Sequence, residues 1–214
     1  DLIGEASECY DIDYPHPLWA EQPVNRWITA LKSSIQNLIQ QTNVNNKKIL
    51  GLGVASQVDG VVPIDASGNP LRSAIIWMDK RSKKQCVEID RAIGHERVFR
   101  ITGLNVDSSH VAPKIRWIAD NQPEIYEKSA YFLLPGSYVT FYLTGTVVVD
   151  YTNASSSMLL DVRRKQWSKE MCKQFDIDIN HLAPLAEATK PIGTLKTDVA
   201  DELGLDPGTI VVTG

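Results

Sequence analysis

Apolar residues Trp27, Ile28, Leu31, Ile35, Leu38 and Ile39 recur every three or four positions and predict a helix that opens at Pro23 and runs to Gln41. Before it, Ile3 to Tyr14 alternate loosely and predict an extended segment, and Pro15 to Pro23 form a loop rich in Pro and Trp. After the polar turn Thr42 to Lys48, the unbroken apolar run Ile49 to Ala55 predicts a strand buried on both faces. Val61 to Asp65 and Ser73 to Met78 predict two more strands. The turn chemistry of Ala66 to Pro70 between them makes the pair a hairpin. From Lys80 the period turns helical. Helices are predicted over Lys80 to Ala92, Glu96 to Ile101, Ala112 to Asn121, Ser137 to Leu143, Ser168 to Phe175 (capped by Ser168) and Thr197 to Leu203 (capped by Thr197). Glycines at 94, 103, 145 and 204 mark helix ends, and Pro123 begins a further turn. Tyr131 to Leu134, Val147 to Val149, Met158 to Asp161 and Ile210 to Thr213 are extended. Strands, then helices, then a returning strand imply an α/β fold with a mixed sheet and a helical insertion.

Composition narrows the class. A chain of 214 residues can bury a core as one domain, and 43% hydrophobic content is ordinary for a globular protein. No apolar run approaches membrane length and no basic-then-apolar leader opens the chain, so no membrane partner is expected and the cytoplasm is the expected compartment. Cys9, Cys86 and Cys172 are scattered and odd in number, which argues against a disulfide framework or zinc site and predicts buried thiols. With a net charge of -4 and only the short basic pieces Lys80 to Lys84 and Arg163 to Lys165, a nucleic-acid footprint is not expected. The chain opens at Asp1 and closes on the apolar run Thr209 to Gly214, and a fragment of a longer protein is expected.

Several familiar motifs fail. Gly51 to Ser56 begins like a dinucleotide fingerprint, but its glycines lie inside the strand run and the third is a serine. Neither a Walker phosphate loop nor a nucleophile elbow is present. His16, His95, His110 and His181 lack ligand spacing and are read as loop or helix-surface residues, and the sequon at Asn153 as a helix start.

The informative stretch is Ser56-Gln57-Val58-Asp59-Gly60, at the carboxyl end of a predicted strand, where open α/β sheets place ligands. A carboxylate there can accept bonds from two neighbouring hydroxyls, as a polyol presents them. Trp77 and Asp79, at the end of the next strand, can bring an aromatic face and a second carboxylate to the same cleft. The alternative, still open on these grounds, is that Trp77 is core and that Asp59 and Asp79 are turn or helix-cap residues.

Gly51 to Arg81 resembles the FGGY family of sugar kinases, whose pattern G-[IVL]-x-x-x-x-Q-x-x-G is followed by W-x-D-x-R. Pro17 to Pro23 with Trp27 is similar to the family's G-W-[VA]-E-[QH]-x-P segment, departing at Leu18. Ser109 to Asn121 is similar to a family signature, departing at Val111. Leu143-Thr144-Gly145, Asp150 to Ser155 and Met158 to Asp161 also resemble the family, in the family's order.

The resemblance implies the first of two actin-like, ribonuclease H-like domains, with sugar and ATP in the cleft between them. Residues 1–214 would be the sugar-binding domain, lacking its first β-hairpin, with the C-terminal ATP-binding domain absent. It implies a catalytic general-base Asp beyond Gly214, ATP and Mg²⁺ used by the full-length enzyme and none held by this chain, and no turnover by the chain alone. Val58 and Asp59 match family substrate contacts, with Trp77 and Asp79 beside them. Glycerol kinases carry Arg-Glu at the Val58-Asp59 pair and xylulose kinases often Met-His, so the resemblance favours a ketopentose such as xylulose over glycerol, with other ketoses, polyols or aldonates as alternatives. Ser109 stands where glycerol kinases present a Tyr, leaving room for a longer sugar. A non-catalytic sugar-sensing protein is the competing reading, an acetate-type kinase a weaker one, and a homodimer is allowed.

Overall fold

The computed structural model describes residues 1–213. In chain order its elements are β1 (Glu21–Gln22), α1 (Val24–Thr42), β2 (Gly51–Val54), β3 (Val62–Ile64), β4 (Ala74–Ile75), α2 (Lys83–Ile93), α3 (His95–Thr102), α4 (Val111–Asn121), α5 (Pro123–Lys128), β5 (Tyr131–Leu133), α6 (Pro135–Thr144), β6 (Val149–Asp150), α7 (Tyr151–Ser155), β7 (Leu160–Asp161), β8 (Gln166–Trp167), α8 (Lys169–Phe175), β9 (Leu185–Ala186), β10 (Pro191–Thr194), α9 (Thr197–Leu203) and β11 (Ile210–Thr213). The fold is α/β, and its three-stranded sheet β10-β11-β2 is mixed: β11 runs parallel to β2 and antiparallel to β10.

The apolar stripe of α1 serves two cores. Trp27 and Ile28 enter the main one, while Leu31, Ile35 and Ile39 cover the second, formed by Leu143, Leu195, Val199, Leu203 and Val211 under the mixed sheet. The main core gathers β3, β4 and β5 against α4 and α8, with Phe132, Ile115, Ile118 and Phe175 almost fully withdrawn from solvent. Pro23 sits one residue before α1, where its fixed φ suits helix entry. Ser168 caps α8 through the Met171 amide, as the sequence predicts.

Some expectations are corrected. β2 is not buried on both faces: Leu52 and Val54 pack on the second core, while Gly51 and Gly53 on the opposite face are exposed. Ile3 to Tyr14 form no strand beyond one bridge, Asp13 to Glu21, and lie over α1 instead. β3 and β4 do fold back on each other, through a two-way backbone exchange between Val61 and Ile75, but β3 has its ladder with β5 and β4 with β1. Thr197 is the first residue of α9 and makes no side-chain cap there. Cys9 is exposed; Cys172 is buried and Cys86 partly so, and burial pushes the Cys86 thiol up to about 12. Asn153 is buried in α7, its amide held by Asp150.

Candidate functional site

The loop Ser56 to Gly60 leaves β2 and enters β3. Asp59 has a φ of 60°, in the left-handed region that Asp tolerates better than most residues. Gly60 must lack a side chain, since a Cβ there would lie 2.5 Å from Pro135 Cγ at the start of α6. The loop is held from outside. Gln57 donates to Gln22 Oε1 at 2.8 Å, the same oxygen that accepts from Trp27 Nε1 at 3.0 Å, which ties the loop to β1 and α1. Lys114 Nζ, from α4, donates to the Asp59 carbonyl at 2.5 Å and to the Ser109 carbonyl.

These supports leave side chains free at one edge. The Val61–Ile75 bridge brings the residues just before Val61 and just after Ile75 to the same end of β3 and β4. There Val58 is 46% exposed and Trp77 49% exposed, an apolar shelf that the cores do not cover. Asp59 is 8% exposed, and its Oδ1 has no hydrogen-bond partner among the described residues. Trp77 is therefore not core, and Asp59 is not a capping residue.

Asp79 is a correction to the expected second carboxylate. It is fully buried, and both oxygens are committed: Oδ2 accepts from the Ala20 amide at 2.6 Å and Arg81 Nη2 at 2.7 Å, and Oδ1 from the Arg81 amide at 2.9 Å. Nor does it cap a helix, because α2 starts only at Lys83. Arg81 also pairs with Glu21 at 2.7 Å and stacks its guanidinium 3.8 Å over Trp19 and 4.9 Å from the Trp117 ring. Glu21 in turn takes Arg72. Asp79 thus fastens the Trp19 segment to the turn beneath Trp77, and its contribution to a ligand is through position only.

Two residues that sequence reasoning passed over stand behind Asp59. Lys114 is completely buried; loss of hydration pulls its ammonium down to about 7, against the opposing pull of the Asp59 and Asp79 carboxylates. His110, read from sequence as a surface histidine, has its Nδ1 3.4 Å from Asp59 Oδ2. The quoted signature contains both residues, but only the fold reveals which way they face. Ser109 spends its hydroxyl on Asp107 at 2.5 Å. Lys80 and Ser109 hold the Asp107 carboxyl well below the usual carboxylate range, outweighing the opposite effect of burial.

A groove of about 400 Å³ lined by Trp27, Gly53 to Gln57, Pro135 and Val139 reaches the root of the loop. A cleft of about 650 Å³ between Arg97, Arg100, Arg163, Arg164 and Lys169 shares no residue with the site. Among the described residues no cluster of His, Cys, Asp and Glu is suited to a metal ion, and no helix is long and apolar enough to cross a membrane.

Residues 1–214 match the model of the FGGY family of carbohydrate kinases, N-terminal domain. The chain is similar to the xylulose kinase of Lactococcus lactis, 33% identical over 205 residues that make up 96% of this chain and 41% of that protein. It is similar to the glycerol kinase of Thermococcus kodakarensis, 31% identical over 191 residues, 87% of this chain and 38% of that one. Among solved structures it is similar to a xyloylose kinase from Brucella ovis, with a TM-score of 0.86 and 29% identity over 95% of this chain and 41% of the other. The chain spans about two fifths of the length of these relatives.

Proposed function

The chain belongs to the FGGY family of carbohydrate kinases, and from that premise we propose that the full-length protein transfers the γ-phosphoryl group of ATP to a sugar hydroxyl, in the cytoplasm, with residues 1–214 as its sugar-recognising domain. The fold is the actin-like, ribonuclease H-like α/β fold of those kinases. One observation carries the assignment of the sugar wall. Asp59, itself 8% exposed, keeps a carboxylate oxygen with no hydrogen-bond partner among the described residues, at the strand end where Val58 and Trp77 are exposed.

That arrangement suits a polyhydroxylated carbon chain. The carboxylate accepts from hydroxyls, and the indole and isopropyl surfaces take the C–H face. Lys114, the buried cation that bonds the Asp59 carbonyl, spends its protons on two carbonyls and offers none to a ligand, so a sugar acid meets the Asp59 carboxylate with no direct cationic grip from Lys114. We favour a ketopentose such as xylulose, with other ketoses and polyols behind it. A sugar hydroxyl is a poor nucleophile, and the Asp that accepts its proton is assigned to the segment after Gly214. ATP and Mg²⁺ are assigned to the full-length enzyme, in the cleft that this domain forms with the rest of the protein. What this chain's residues do is orient the sugar and cover one of its faces, which removes water and fixes the attacking hydroxyl.

The test is coupled ADP detection with the full-length protein over pentuloses, hexuloses, polyols and aldonates. A ketopentose should give the highest kcat/KM, and Asp59→Ala should raise the sugar KM about tenfold to a hundredfold with the ATP KM unchanged. An unchanged sugar KM removes Asp59 from the site. Sugar binding without ADP formation makes the protein a sensor instead of a kinase.

A further inference from the structure

We propose that His110 is a sugar-contacting specificity residue that acts as a pair with Asp59, the carboxylate accepting from one hydroxyl and the imidazole donating to the same or the adjacent one. This rests on the reading of the Asp59 edge as a sugar site.

Three observations support it. The His110 and Asp59 side chains are only 15% and 11% exposed, and Nδ1 of one faces Oδ2 of the other at 3.4 Å. Yet they do not bond: His110 Nδ1 and Asp59 Oδ1 are both buried without a hydrogen-bond partner among the described residues. Buried polar atoms left unmatched destabilise a fold, and two such atoms on neighbouring, partly exposed side chains mark a place where an outside group completes the pattern once the side chains turn to meet it. A hydroxyl does so alone, because it donates through its hydrogen and accepts through its lone pairs.

The second observation is local. His110 occupies the N-cap position of α4, where a short polar side chain ordinarily folds back onto the helix amides, but it makes no cap bond. Its ring is turned to Asp59 instead. The third is rigidity. Lys114, one turn further along α4, bonds the carbonyls of both Asp59 and Ser109, so the two backbones carrying the pair are clamped to one amine. The backbone positions beneath imidazole and carboxylate are set before any ligand arrives, so binding orders only the two side chains.

The experiment uses the full-length protein, with the preferred ketose and its single-deoxy analogues as substrates. His110→Phe, which keeps the ring volume and removes the donor, should raise the sugar KM about tenfold and leave the ATP KM unchanged. His110→Asn, whose amide nitrogen falls near the ring Nδ1, should recover most of that loss. The parent's preference for the ketose over one deoxy analogue should shrink about tenfold in His110→Phe, with the other analogues unaffected. A rise equal for every analogue and not recovered by Asn makes His110 a packing residue and overturns the inference. An unchanged KM in His110→Phe beside a raised one in Asp59→Ala overturns this inference alone. Absence of sugar-dependent ADP formation by the parent overturns the kinase reading beneath it as well.

Discussion

Replacing Asp79 by Asn separates an anchoring carboxylate from a ligand-binding one. The native carboxylate accepts from the amides of Ala20 and Arg81 and from the Arg81 guanidinium, all out of contact with water. Asn keeps one acceptor oxygen and the shape but removes the charge. Arg81, whose side chain is fully buried, then keeps Glu21 at 2.7 Å as its remaining charged partner among the described residues. Breaking a buried ion pair from one side costs about 3 to 5 kcal/mol. Retention of Glu21 and of one acceptor puts Asn at the lower end, about 3 kcal/mol, and Asp79→Ala near the upper end. For a domain of this size that lowers Tm by about 9 °C. Urea unfolding followed by tryptophan fluorescence is a suitable assay, because Trp19 and Trp117 both lie against the Arg81 guanidinium and report on the cluster directly. An Asn variant with the parent's unfolding midpoint and a steeply raised sugar KM would refute the anchoring role and restore Asp79 as a ligand residue.

Lys114 and Leu18 give further outcomes. Burial holds the Lys114 amine down at about 7, so the protonated form is the costly one in the folded state: its penalty is present in full below pH 7 and is relieved as pH rises toward the ordinary value of 10.5. Relative to Lys114→Met, the parent should gain about 1.4 kcal/mol of stability per pH unit between pH 7 and 9, measured by urea midpoints across that range; parallel curves for the two proteins would show that the amine is not depressed. Leu18 stands where the resembling family motif has Gly, and it has a φ of 69° while remaining 60% exposed. Leu18→Gly should therefore stabilise by about 0.5 to 1 kcal/mol, read as a raised unfolding midpoint, and a lowered midpoint would show that its side chain packs.

Periodicity made α1, α4 and α8 readable from sequence, because each helix's apolar pattern matches the face it buries, while β11 was readable as an apolar run although it exposes Ile210 and buries Thr213. β8 and β9 escaped because two residues carry no pattern, and β10 because Pro191 and Gly193 read as breakers. The Asp59 edge was legible as loop chemistry after a strand. Asp79 was misjudged since its partner, the Ala20 amide, comes from a loop 59 residues away, and a buried carboxylate looks like any other until that partner is in place. His110 was passed over for the same reason: a lone histidine gains meaning only when the fold sets it against Asp59.

The way Ser56 to Gly60 is held bears on protein engineering. Its pose depends on Gln22 from β1, Lys114 from α4 and Pro135 from α6 as much as on the loop's own Gln57 and Gly60. Grafting a relative's five-residue loop alone would transplant side chains without the scaffold that aims them. If the Asp59 edge is the sugar site proposed above, a change of substrate preference is a task for four separated segments exchanged together, and libraries that vary Val58 and Asp59 gain most when 22, 110, 114 and 135 are varied or matched in the same clone.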